Sequence, residues 1–181
     1  MGFQLAAAQI YVPQCIKKRK LEMLFVATAD AFQVADLSIR RLSYDDGLKM
    51  FALFTREQAQ KAIQDGREAV VRPRLLRNAF QLGRQFQMDF NIESFAEVMQ
   101  IGSIIYRLLK IDFRGEPQGN IVIKHCFFSA YYSGTICRLI SALDAGLLTG
   151  LSGGGKLSFI QRITEGDECC RAYLESPEGL K

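Results

Sequence analysis

Apolar residues recur at helical spacing through the first 110 positions and at strand spacing after them. Leu21, Leu24, Phe25 and Thr28 share one face of a segment that follows the basic run 17–20. Tyr44, Leu48, Phe51 and Ala52, then Ala59 and Ile63, mark a second helix. Ser43 is its N-cap, Asp45 and Asp46 put negative charge in its first turn, and Gly66 stops it. Leu75, Leu76, Ala79, Phe80, Gly83 and Phe86 form a third stripe, opened by Pro73 as a first-turn proline. Phe95, Met99, Gly102, Ile105, Tyr106 and Leu109 form a fourth, capped by Asn91 or Ser94.

Residues 111–128 read as two strands around a turn broken by Gly115, Pro117 and Gly119. Residues 131–148 read as one helix with Tyr132, Ile136, Leu139, Ile140, Leu143 and Leu147 on a single face. A glycine-rich turn leads to a strand over 157–163, and a tight turn to a last strand over 169–174. Helices first, then strand–strand–helix–strand–strand, predicts an α+β fold: a helical N-terminal half packed on an antiparallel sheet. The chain reads as a single domain, 1–181, mainly helical to residue 110, with a sheet and one helix over 111–175 and a frayed tail. The stripes over 75–88 and 94–109 are expected to lie on the sheet, a homodimer being the alternative use of those faces. The run Gly153-Gly154-Gly155-Lys156 is not a phosphate loop, because Leu157 and a strand follow the lysine.

Composition sharpens this picture. The chain has 181 residues, 49% of them apolar, with 13 Phe and no Trp, enough for a core without disulfides or metal. A net charge of +4 is too small to argue for nucleic acid. Basic residues follow the apolar N-terminal run, the reverse of a secretory signal. Ala6 breaks the myristoylation pattern after Gly2. No apolar run reaches the roughly 18 residues of a membrane span. A cytoplasmic protein is expected, so its five cysteines are thiols, ligands or a nucleophile and not a disulfide frame.

Four of those cysteines and the one histidine fall between residues 125 and 170. His125 and Cys126 end a strand, Cys137 lies in the first turns of the next helix, and Cys169 and Cys170 open the last strand. Three chemistries fit. Cys126, Cys137, Cys169 and Cys170 are candidate ligands for a metal such as zinc, although no Cys-x2-Cys knuckle occurs. One cysteine could be a nucleophile with His125 as its base. Or all are buried thiols, which is common for free cysteine. Neighbouring Cys169 and Cys170 point to opposite faces of a strand, so at most one faces a shared pocket. Ser133, Cys137, Ser141 and Asp144 share a stripe that could line a cavity, but Asp144 reads more readily as solvent-facing. Arg72, Arg74, Arg77 and Arg84 sit together without an acid, and the guanidinium fork suits a carboxylate. Arg77, between Leu76 and Phe80, is the candidate.

The block 121–174 resembles the C-terminal part of the L-2-amino-thiazoline-4-carboxylic acid hydrolase-like family. Cys126, Cys137, Asp144, Thr164, Gly166, Asp167, Cys169 and Cys170 carry the likeness. More distantly the layout is similar to 4-vinyl reductase domains, small-molecule-binding modules with a Gly-Asp-x-Cys turn. Some of those hold zinc through cysteines and a Glu; Phe159-Ile160-Gln161-Arg162 stands where that Glu and Cys would be. The resemblance implies a small-molecule hydrolase that opens a cyclic amidine-like C–N bond of a carboxylate ligand. It implies Cys126 and Cys137 as pocket residues with Cys169 or Cys170, and His125 as acid or base. Ser133, Ser141 and Arg77 would then touch substrate, while Asp167 shapes its turn. A non-enzymatic sensor holding a small molecule, a metal or haem in the same cavity is the alternative.

Overall fold

The computed structural model describes residues 12–35, 39 and 41–177. The readings made for residues 1–11 and for the tail beyond residue 177 lie outside the described residues. Helix α1 spans Gln14–Phe32, α2 Tyr44–Gln64, α3 Glu68–Asp89 and α4 Phe95–Leu108. Strands β1 (Ile111–Gly115) and β2 (Asn120–Cys126) form a hairpin. A 3-10 turn, Phe127–Ala130, leads to α5 (Gly134–Ile140) and α6 (Ala142–Leu151). Strand β3 (Leu157–Gln161), a 3-10 turn over Ile163–Glu165 and β4 (Cys170–Leu174) complete the chain. All pairings are antiparallel, in the order β1-β2-β4-β3, so the fold is α+β.

The caps explain where the helices begin. Ser43 Oγ accepts from Asp46 N at 3.1 Å, and Asp45 and Asp46 face the positive helix end. Ser94 and Glu97 form a reciprocal capping box on α4. Asn91 instead takes a left-handed conformation after α3, with φ of 47°. Two starts differ from the sequence reading. Helix α1 runs through the basic cluster from Gln14, and α3 starts at Glu68, leaving Pro73 inside the helix instead of in its first turn.

The predicted single helix over 131–148 is broken at Ser141. Its Oγ donates to Arg138 O at 3.0 Å, the serine back-bond that bends helices. Together α5 and α6 make an 18-residue stretch, Gly134–Leu151, with mean hydropathy of 1.3. That stretch is as long and apolar as a spanning helix, longer than the sequence reading allowed. The fold buries 61% of it.

Helix α4 packs on β1, as expected. There Tyr106 stacks on Phe113 with ring centroids 4.7 Å apart. Helix α3 does not lie mainly on the sheet; its main partners are α6 and α1. Helices α3 and α6 cross at backbone distance. A side-chain carbon on Gly83 would strike Leu147 O, one on Gly146 would strike Leu76 O, and one on Gly150 would strike Phe80 O. Ala79 and Gly83 on one helix and Ala142, Gly146 and Gly150 on the other keep the small-x3-small spacing that such an approach requires.

Burial grades the phenylalanines. Phe95 belongs to the contiguous core, whereas Phe80 is half-buried. Phe95→Ala should therefore cost about 3–5 kcal/mol and Phe80→Ala roughly half that. Urea melts check this; a loss below about 1 kcal/mol at Phe95 would place that ring outside the core.

Candidate functional site

A cavity of about 90 Å³ lies where the inner face of the sheet meets α4, α5 and α6. Two details of strand register aim residues into it. Ile111 pairs with Cys126 and Phe113 with Ile123, so β2 carries one extra residue in its last turn of pairing. A bulge of this kind resets the inward–outward alternation. Ile121 and Ile123 face the core; without the bulge His125 would follow them and Cys126 would point out. With it, Cys126 lines the cavity and His125 is exposed. His125 thus stands outside the site to which the sequence reading assigned it.

On β4 the alternation is regular. Cys170 is buried and faces the cavity, its Sγ accepting from Ile163 N at 3.4 Å. Cys169 points the other way, with Gln161 Nε2 3.6 Å from its sulfur. Cys137 reaches the cavity from α5. Three thiols from three elements therefore converge, as the strand-end and helix-start placement anticipated. Ser141 lines the cavity too. Ser133 does not: it caps α5, its Oγ accepting from Ile136 N at 3.4 Å. Arg77 is exposed on α3 and lies outside the cavity walls. Its flanking residue Leu76 is exposed as well, so the stem lies along solvent and not at a pocket edge.

The acid in the cavity is Asp144, three residues beyond Ser141 on the stripe that Cys137 shares. Its side chain lies deep in the protein yet keeps some accessible surface, because it borders the hollow. The Tyr106 hydroxyl donates to Asp144 Oδ1 at 2.8 Å. Burial pushes the carboxyl up to about 6, against the opposing pull of the Tyr106 hydrogen bond and the Arg162 charge. The same burial, with Asp144 beside it, raises Tyr106 well above the usual phenol range.

Arg162 follows β3 and turns its guanidinium inward, 4.2 Å from the centre of the Phe159 ring. Its Nη2 donates to Ser141 Oγ at 3.2 Å, while the buried Nε has no hydrogen-bond partner. The turn that aims it is held by Asp167, whose carboxylate accepts from Arg162 N at 2.9 Å, and by Gly166 at φ of 100°. Asp167 thus has the turn-shaping place expected of it. The second tyrosine in the wall, Tyr132, shares a short hydrogen bond with Thr55.

The thiols are in a setting that keeps them protonated. Burial pushes Cys126 up to about 12, and burial also raises Cys137 and Cys170, with the Asp144 charge adding to each. The Thr164 hydroxyl and Arg162 oppose the shift at Cys137, although Thr164 Oγ1 is buried without a hydrogen bond of normal geometry. Zinc would need thiolates. Among the described residues, no three His, Cys, Asp or Glu side chains stand close enough together to hold a metal ion.

Sequence reasoning put Asp144 on the stripe that could line a cavity but favoured solvent for it, chose Arg77 over Arg162 as the cation for a carboxylate, and took Tyr106 as part of an apolar face. One signal was present: Asp144 is the single acid in the largely apolar stretch 134–151. Tyr106 carried no signal, being one of several large residues on an apolar stripe.

No protein-family model matches this chain, and no curated protein matches it.

Proposed function

We propose that the protein is a small-molecule hydrolase that opens a cyclic amidine-like C–N bond in the cavity between the sheet and helices α4–α6. The observation that carries this reading is Asp144, held by the Tyr106 hydroxyl in an apolar hollow and within reach of the Arg162 charge. A carboxyl titrating near neutrality suits general acid–base work. The raised thiols argue against a resting thiolate nucleophile, so water is the better attacker. Water adds its oxygen to the amidine carbon while one of its protons passes through the Asp144 carboxylate to the ring nitrogen. The hydroxyl proton follows by the same route as the C=O bond forms and the ring C–N bond breaks, so the nitrogen leaves as an amine. Tyr106 holds the carboxyl in place, and the three thiols shape the wall. The cavity volume limits the ligand to a compact molecule, far below drug size.

Arg162 takes the role first given to Arg77. Its guanidinium touches Ser141, which lines the cavity, and its buried, unpaired Nε suits the carboxylate of a small acid. Arg162→Lys keeps the charge and loses the fork, so it should weaken binding of 2-amino-thiazoline-4-carboxylate by about tenfold or more, and of the neutral amide hardly at all. Arg77→Lys should change neither. Calorimetric titration reads the affinities, and loss of the ring's ultraviolet absorbance reads turnover. A wild-type protein that neither binds nor opens the thiazoline would overturn this substrate class; saturable binding without turnover would make the protein a ligand carrier.

A further inference from the structure

A second hollow, of about 500 Å³, lies between α1, α3 and α4. Leu24, Leu109 and Leu147 border both it and the smaller cavity, and form the wall between them. Leu21, Phe86, Ile101, Ile104, Ile105 and Leu108 give it an almost wholly apolar lining. Its volume falls in the range of ligand pockets that take lipid- or drug-sized molecules. An apolar groove of this kind would ordinarily carry only apolar residues on the helix stripe that faces it. Here the α1 stripe also presents Lys17 and Lys20, one turn apart.

The two lysines sit over aromatic rings at one edge of the groove. Lys17 Nζ is 5.9 Å from the Tyr44 ring centre and Lys20 Nζ 4.2 Å from that of Phe86. Asp89, which also borders the groove, stands 4.0 Å from Lys20 Nζ, a long ion pair beyond the roughly 2.8 Å of a tight charged hydrogen bond. The Tyr44 hydroxyl is buried at the same edge and has no hydrogen-bond partner. A buried donor without an acceptor is costly, and an occupant bringing an acceptor would relieve it.

We infer that this groove binds a single-chain amphiphile with an anionic head, such as a fatty carboxylate. The chain lies along Leu21, Phe86, Ile101 and Ile104, and the head meets Lys17, Lys20 and the Tyr44 hydroxyl. Burial lowers the affinity of Lys20 for its proton, and an anionic head would restore it.

The test is calorimetric titration of the full chain with sodium dodecanoate and with dodecanol, both below micelle formation. Wild type should bind one dodecanoate, about tenfold more tightly than dodecanol. Lys17→Gln with Lys20→Gln should remove that preference and leave dodecanol affinity unchanged. Ile105→Trp, which fills the groove, should weaken both ligands by more than tenfold. Asp144→Asn should bind dodecanoate as wild type does, which separates this site from the smaller cavity. The inference is overturned if dodecanoate shows no saturable one-to-one binding. It is overturned equally if charge removal leaves the preference intact. Binding seen only after deletion of residues 1–11 would also overturn it, since the groove would then belong to the chain's own N-terminal segment.

Discussion

Gly146→Ala is expected to abolish stable folding or to cost more than about 4 kcal/mol, a loss reserved for severe core damage. The added methyl would overlap the Leu76 carbonyl oxygen and crowd Ala79 Cβ at 2.9 Å. Neither can yield cheaply, because the oxygen is backbone inside α3 and Ala79 is fully buried. Helices α3 and α6 would have to separate, opening the wall of the cavity that Leu143, Asp144 and Leu147 form. Gly83→Ala and Gly150→Ala should behave alike, since each would meet backbone of the facing helix. Gly102→Ala is the contrast: its nearest neighbour is the Phe113 ring at 3.4 Å, a side chain that can shift. That variant should lose less than about 1 kcal/mol, helped by the better helix propensity of alanine. Denaturant melts of the four variants decide the matter. Equal losses at Gly146 and Gly102 would show that the two helices do not meet at their backbones.

Asp144→Asn should separate activity from stability in opposite directions. Asparagine cannot accept the proton of an attacking water, so turnover should fall by about 10²–10⁴-fold. In the wild type, activity should fall as pH drops through about 6, where the carboxylate takes up its proton. The stability effect has the other sign. The folded carboxyl sits above its ordinary value of 3.8, so its favourable contribution is complete below that value and is lost as pH rises through about 6. At pH 7 the ionised group therefore works against folding by about 3 kcal/mol. Asparagine keeps an acceptor for the Tyr106 hydroxyl and carries no charge to bury. It should stabilise the protein at pH 7 by up to that figure, which already includes the attraction to Arg162 and the Tyr106 hydrogen bond. Below pH 4 the wild-type and variant melting temperatures should converge. A variant less stable than wild type at pH 7 would mean that the Arg162 pairing outweighs the burial of the charge.

How much of this was legible in the sequence follows from the range of the forces involved. Helix α2 was readable to its first residue, because Ser43, Asp45 and Asp46 act within one turn. The start of α4 was narrowed to Asn91 or Ser94, and the Ser94–Glu97 box decides for Ser94. The β1–β2 hairpin and the α+β order were equally local matters of period and turn residues. The convergence of Cys126, Cys137 and Cys170 could be anticipated from their places at a strand end, a helix start and a strand start.

Other features were set by contacts between distant residues. The bulge opposite Ile111–Phe113 depends on how two strands pair, and it exchanges the roles of His125 and Cys126. The break at Ser141 and the inward turn of Arg162 arise together, since one hydrogen bond joins residues 21 apart in the chain. Asp144 reads as a solvated acid on an amphipathic helix until Tyr106, 38 positions earlier, is found to cover it. Periodicity reports which face of an element is apolar, and so the sequence determined the elements and their inner faces. It does not report what that face meets. Pairing register, backbone crossing and the desolvation of a single carboxyl are sums over neighbours remote in sequence, and only the tertiary structure decided them.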